Sequence, residues 1–189
     1  GREPMDPARI RASVSNGARA LVSLGLEMPE DAPEFERNRL RLLELYSKVL
    51  GTIAAPYPGI VELLERLQAQ GIAWGVSTNK PRAFTAPLMD KLNIQPAPGS
   101  VVCPDDINNR KPHPESLYRN CRDLGCAPHE AIYVGDHVRD IDAGRSAGMY
   151  TIAARYGYIE AGDNPESWGA NASVEHSGEL LAALLKAAN

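Results

Sequence analysis

Apolar residues in this chain recur first with a helical period and later in short unbroken runs. Leu21 and Leu24, and then Leu42, Leu45, Tyr46 and Val49, fall at the three- and four-residue spacing of a helix face. Asp6 followed by Pro7 is an N-cap and a first-turn proline, Ser15-Asn16-Gly17 interrupts the pattern, and Pro33 opens the longer helix. Residues 1 to about 55 therefore predict helices. The stiff Pro56-Tyr57-Pro58-Gly59 marks a linker, which places a domain boundary between a helical unit over 1–55 and a second unit over 56–189. Beyond it, Ile60, Leu63, Leu64 and Leu67 form an apolar stripe that ends at Gly71. Runs near 72–77, 100–103, 131–134 and 150–154 read as buried strands separated by helices. Such alternation predicts an α/β, Rossmann-like, mostly parallel sheet with helices on both faces. A last helix with Leu180, Leu181, Leu184 and Leu185 is expected to pack on that core. Asp163-Asn164-Pro165 and Ser167-Trp168-Gly169 predict a loop-rich tail ahead of it.

Three of the predicted strand and helix ends carry chemistry. In Tyr133-Val-Gly-Asp-His-Val-Arg-Asp140 the chain turns at Gly135, which puts Asp136 at the carboxyl end of a strand, where open α/β sheets bind ligands. Asp140 lies four residues on, at the start of the next helix, so both carboxylates can face one point. Mg²⁺ prefers one or two such oxygen donors, because a substrate phosphate supplies others. In Ile72-Ala-Trp-Gly-Val-Ser-Thr-Asn-Lys80 a strand runs into the Thr78 hydroxyl, and Pro81 then opens a helix whose first N–H groups suit a phosphate. In Arg110-Lys-Pro-His-Pro114 two prolines stiffen the loop that presents Lys111 just before a helix reaching about Leu124. A rigidly held ammonium suits an anionic ligand and a charged transition state. Singly, each segment is also compatible with a plainer role: a solvated acidic loop, a strand-end cap and a solvated lysine.

Taken in chain order, Thr78, Lys111 and the Asp136/Asp140 pair resemble the second, third and fourth motifs of the haloacid dehalogenase superfamily, over nearly the whole chain. The helical segment before the alternating core resembles the phosphoglycolate phosphatase-like branch, whose cap domain is inserted between the first and second motifs. Ser15-Asn-Gly-Ala-Arg-Ala-Leu21 looks like that branch's cap loop, which makes Asn16, Gly17 and Arg19 candidate substrate contacts; a helix break with a solvated arginine is the alternative. The tail Arg155-Tyr-Gly-Tyr-Ile159, with Asp163-Asn-Pro and Trp168-Gly-Ala, resembles the N-acetylmuramic acid 6-phosphate phosphatases. The resemblance implies a phosphatase that uses Mg²⁺ and an aspartyl-phosphate to hydrolyse a small phosphomonoester, of the 2-phosphoglycolate or N-acetylmuramic acid 6-phosphate type. Asp136 and Asp140 would hold the metal, Thr78 and Asn79 would bind phosphate oxygens, and Lys111 would bind phosphate and neutralise charge in the transition state.

The resemblance has a gap. The superfamily's first motif, Asp-x-Asp-Gly-Thr, carries the nucleophilic aspartate, and the one Asp-x-Asp here, Asp140-Ile-Asp142, follows a loop and precedes Ala-Gly. The expectation is that roughly 25–35 residues, about one strand and one helix, are absent ahead of Gly1. On that expectation the central strand of the sheet is missing and the helical cap is partial. The strands ending at Thr78 and Asp136 should then not close into one sheet, since the first-motif strand lies between them in the family. The polypeptide alone should be inactive. A phospho-ligand binding module is the alternative from another class, and a phosphomutase is a further one.

Composition narrows the partners. The 189 residues suffice for one good core and are 43% hydrophobic and 23% charged, as in an ordinary globular protein. A net charge of −4, with Lys and Arg scattered, disfavours nucleic acid and anionic membranes, and no apolar run is long enough for a bilayer span. Cys103, Cys121 and Cys126 lack metal-ligand spacing and read as reduced thiols of a cytoplasmic protein. Nothing in the sequence speaks to oligomeric state.

Overall fold

A computed structural model describes residues 3–187. Three helices come first: α1 (Pro7–Ser13), α2 (Gly17–Leu26) and α3 (Phe35–Val49). The Asp6 carboxylate accepts the Ala8 N–H and caps α1, and a 3₁₀ turn over Val14–Asn16 breaks α1 from α2 where the sequence pattern lapses. Gly17, at φ 77° and ψ −171°, takes an extended positive-φ conformation that glycine adopts without strain. The expected helix after Pro33 starts at Phe35, which is buried, but Leu45 and Val49 remain exposed, so its apolar face is only partly covered.

The remainder alternates as α4 (Ile60–Ala69), β1 (Gly75–Ser77), α5 (Arg82–Leu92), β2 (Ser100–Val102), α6 (Glu115–Leu124), β3 (Ile132–Gly135), α7 (Val138–Ala147), β4 (Tyr150–Ala154), β5 (Ala172–Val174) and α8 (Leu180–Ala187). All pairings are parallel, as the crossover helices demand. Helices cover both faces. Leu117 and Cys121 of α6 pack with Ala143 and Ala147 of α7 and with Met149 on one side. On the other, Leu63 of α4 and Leu180 of α8 close over Ile152 and Val174. The three cysteines are unpaired thiols, Cys103 and Cys121 buried and Cys126 partly so.

The tail ahead of α8 is more ordered than its turn-rich sequence suggests. A 3₁₀ turn over Pro165–Trp168 buries Trp168 against Ile141 and Ala153, with its indole N–H donating to Asp163 at 2.9 Å. A fifth strand, β5, then adds to the edge of β4.

Among the described residues the strands form two separate sheets, β1–β2 and β3–β4–β5, and no ladder joins β1 to β3. Both strands are therefore edges. β4 is buried along nearly its whole length, whereas every residue of β3 is only partly buried.

Candidate active site

The carboxyl ends of β1 and β3 converge on one side chain, Lys111. Lys111 is 9% exposed, and its ammonium donates to the Ser77 carbonyl at the end of β1 (2.8 Å) and to the Tyr133 hydroxyl of β3 (2.7 Å). It also pairs with Asp140 Oδ1 of α7 at 2.8 Å, and the Tyr133 hydroxyl donates to the same oxygen at 3.3 Å. One lysine thus ties together the two half-sheets. Burial alone would lower its pKa, but Tyr133 and Asp140 outweigh burial and hold it above the ordinary lysine value. Lys111 is an ammonium at neutral pH. Burial also pushes the Tyr133 hydroxyl up to about 12, so that it stays a neutral donor.

The loop that delivers Lys111 is fixed from both sides. Glu115, in the first turn of α6, accepts the backbone N–H groups of Asn108 and Asn109, each at 2.9 Å. These bonds hold its carboxyl below the usual carboxylate range. Asn79 Nδ2 donates to the Lys111 carbonyl at 3.2 Å, which joins the loop after β1 to the lysine loop. The Ser77 hydroxyl donates to Ser116 on α6 at 2.8 Å. Thr78 Oγ1 accepts the Lys80 N–H at 3.0 Å, a local turn that leaves its own proton free to donate to a ligand. Thr78, Asn79 and Lys111 therefore form one continuous rim.

Asp136 stands at the carboxyl end of β3, as its position after the apolar run predicts. Its Oδ2 accepts the Tyr158 N–H at 2.8 Å, and a methyl group on Gly157 would run into its side chain. Gly135 plays the same part for Asp140, whose Cβ a side chain at 135 would overlap. Both acids are thus seated against bare backbone, which only glycine provides. A cavity of about 530 Å³ opens beside Tyr57, Tyr156 and His176. Burial raises the Tyr156 pKa, with Tyr57 and the Asp136 charge adding to the effect.

Among the described residues no three His, Cys, Asp or Glu side chains converge as a cage for a metal. Asp136 and Asp140 nonetheless fit a hard cation that keeps several waters and takes phosphate oxygens as further ligands, because one or two carboxylates are what it asks of the protein.

The cap-loop residues divide. Arg19 pairs with Glu30 at 2.6 Å and lies over the Phe35 ring, both within the helical segment. Asn16 does reach the core, donating to Glu160 at 2.9 Å, and Gly17 begins α2 beside it. Sequence reasoning missed Tyr133, Glu115, Gly157 and Tyr158. A tyrosine in a run of strand residues reads as core, and a glycine two residues past an arginine reads as a turn.

The family model described as haloacid dehalogenase-like hydrolase matches residues 23–154, well over half of the chain. The chain belongs to that family. It is 42% identical over 187 residues to an N-acetylmuramic acid 6-phosphate phosphatase of Pseudomonas aeruginosa, covering 99% of this chain and 83% of that protein. It is 36% identical over 173 residues to a phosphoglycolate phosphatase of Xanthomonas campestris, covering 92% and 78%. Among solved structures, a predicted phosphoglycolate phosphatase from Haemophilus somnus superposes with a TM-score of 0.82 at 25% identity, covering 95% of this chain and 83% of that one. A β-phosphoglucomutase from Clostridium difficile, at TM-score 0.74 and 20% identity, shows that the same fold also serves a mutase. The relatives named by activity are phosphoric monoester hydrolases. No helix among the described residues is long and apolar enough to cross a membrane.

Proposed function

We propose that this chain carries the phosphate- and metal-binding part of a Mg²⁺-dependent phosphatase acting on a small phosphomonoester. The observation that carries the reading is Lys111, a buried ammonium held by β1, β3 and α7 at the ligand-binding ends of both half-sheets. Thr78 Oγ1 and the Asn79 backbone would orient phosphate oxygens, and Lys111 would neutralise the charge that builds on them during transfer. Asp136, steadied by the Tyr158 N–H, and Asp140, steadied by Lys111, would hold Mg²⁺. When bound, the metal screens the phosphate from an anionic nucleophile.

The nucleophile in this reading is a carboxylate on a strand seated between β1 and β3, forming an aspartyl-phosphate that water then hydrolyses. The unjoined edges of those two strands support this, as does the lack of an Asp-x-Asp-Gly-Thr run in the sequence. The 189 residues by themselves then bind phosphate without turning it over. The relatives' names put 2-phosphoglycolate and N-acetylmuramic acid 6-phosphate first among substrates to try, and a cytoplasmic location belongs to the same proposal.

Phosphate release from these two esters, with and without Mg²⁺, tests the reading in protein that includes the nucleophile strand. Lys111→Ala should lower turnover by roughly two to three powers of ten, the scale of losing a strong electrostatic donor. A loss under about threefold would remove Lys111 from the site. Asp136→Asn should weaken the dependence on Mg²⁺, and an unchanged metal titration would refute its ligand role. Phosphate retained on the product would point to a mutase.

A further inference from the structure

Cys121 and Cys126 bring two thiols into contact at the carboxyl end of α6, the opposite end from Glu115 and Ser116. Gly125, at φ 72°, turns the chain back there. Its N–H donates to the Arg122 carbonyl at 3.3 Å, and the Cys126 N–H donates to the Cys121 carbonyl at 3.0 Å. This double closure ends a helix and sets a side chain of its last turn against the one just past the glycine, where two apolar groups commonly meet. Here both positions are cysteines, and their thiols hydrogen-bond to each other.

The two sulfurs are not equivalent. Cys121 is 4% exposed and packs with Leu117, Ala143, Ala147 and Met149, whereas Cys126 is only partly buried and follows the exposed Gly125. Burial raises the Cys121 pKa, and the hydrogen bond with Cys126 and its charge add to the rise. Cys121 is therefore held as a thiol that solvent barely reaches, a poor first target for an oxidant. Cys126 is the sulfur that a small oxidant can meet. Cys103, just past β2, is fully buried.

We propose that Cys126 and Cys121 form a reversible oxidation site, at which Cys126 takes oxygen from a hydroperoxide and Cys121 resolves it as an intramolecular disulfide. The Cys126 thiolate attacks one peroxide oxygen; the S–O bond forms as the O–O bond breaks, and the electron pair leaves on the other oxygen, which takes a proton. The Cys121 sulfur then attacks the Cys126 sulfur, the S–S bond forms as the S–O bond breaks, and the Cys121 proton leaves with the departing oxygen as water. Each sulfur gives up one electron and the peroxide takes both. The backbone hydrogen bond between the same two residues keeps their Cα atoms within the roughly 4.4–6.8 Å that a disulfide spans. The new bond thus replaces a contact already made and leaves α6 in place. Without a resolving thiol, a sulfenic acid at Cys126 goes on to sulfinic acid, which thiol reductants do not reverse. The pair keeps that irreversible charge away from the apolar cluster on which Tyr133 also packs.

Treatment of the folded 189-residue chain with a small excess of hydrogen peroxide, then unfolding, alkylation and tryptic mass mapping, tests this. Trypsin cuts after Arg119 and Arg122, so a bond between Cys121 and Cys126 joins two peptides that otherwise separate. The expected product is about 2 Da lighter than the reduced chain, carries that cross-link, keeps Cys103 as a free thiol and returns to the reduced mass with dithiothreitol. Cys121→Ala should instead gain about 32 Da at Cys126, two oxygens that dithiothreitol does not remove. Cys126→Ser should leave Cys121 unmodified. Recovery of Cys121 and Cys126 as free thiols or as sulfinic acids in the unmodified chain would overturn the proposal, as would a bond to Cys103 or between two chains. Oxidation of Cys121 in the Cys126→Ser variant, as fast as in the unmodified chain, would overturn the order of the two steps. The mapping of the unmodified chain decides the proposal even where a variant fails to fold.

Discussion

Replacing Lys111 by Met keeps most of the side-chain volume and removes the charge that joins the two half-sheets. In the unmodified chain the ammonium spends its three protons on Ser77 O, Tyr133 Oη and Asp140 Oδ1. After substitution Asp140, itself 7% exposed, keeps a single long bond from Tyr133, and the Ser77 carbonyl loses its partner. Breaking a buried ion pair by removing one member costs about 3–5 kcal/mol, against about 0–1 kcal/mol for a pair on the surface. For a domain of this size each kcal/mol moves the melting temperature by about 2–4 °C, so Lys111→Met should lower it by roughly 6–20 °C. Thermal unfolding followed by circular dichroism measures this. The cycle with Asp140→Leu separates the pair from the rest, since two apolar residues of similar volume should recover much of the loss. A drop under about 2 °C, or single effects that simply add, would refute the claim that Lys111 and Asp140 form a buried, coupled pair.

Two further outcomes follow from the same geometry. In protein that includes the nucleophile strand, Gly157→Ala pushes a methyl into the Asp136 side chain and should reduce Mg²⁺-dependent phosphate release at least about tenfold, a misplacement effect, with the melting temperature changed far less; full activity in that variant would show that Asp136 is not where the metal is held. The Lys111 ammonium has a raised pKa, so its stabilising contribution is complete below the ordinary lysine value of 10.5 and is lost only as pH rises beyond it. The NMR titration of a ¹³C-labelled Lys111 should therefore have its midpoint above 10.5, and a midpoint below that value would mean that burial outweighs Tyr133 and Asp140.

What the sequence disclosed, it disclosed through contrast. Thr78, Lys111 and Asp136 stand out because polar groups follow apolar runs or sit between prolines; the structure joins the loop after β1 to the Lys111 loop through Asn79 and sets Asp136 at the end of β3, against the Tyr158 N–H. The alternation of helix and strand was equally readable, because each crossover helix needs an apolar stripe and each buried strand an apolar run. Residues whose role depends on partners far away in sequence were not readable. Tyr133 looks like any strand aromatic until Lys111 is placed over it, 22 residues away. Gly157 matters only because Asp136 leans on it. β5 is three residues, Ala-Ser-Val, with one β-branched side chain, and becomes a strand by pairing with β4, not by its own propensity. Arg19, expected to face substrate, is claimed by Glu30 and Phe35, whereas Asn16 beside it reaches Glu160 across the seam. Local pattern does not separate those two outcomes. The exposed apolar residues of α3 show the same limit, since a 3.6-residue stripe tells which side is apolar and not what covers it.

The central claim is that these residues bind a phosphomonoester with Mg²⁺ but do not supply the nucleophile. Calorimetric titration of the purified 189-residue chain with N-acetylmuramic acid 6-phosphate in Mg²⁺ tests both halves at once, because binding gives a saturating heat and hydrolysis a continuing one. The account predicts a saturating one-site isotherm that Lys111→Met abolishes, with no continuing heat and no free phosphate afterwards. Steady heat with stoichiometric phosphate release from this chain would contradict the placement of the nucleophile elsewhere. A flat titration would contradict the site itself.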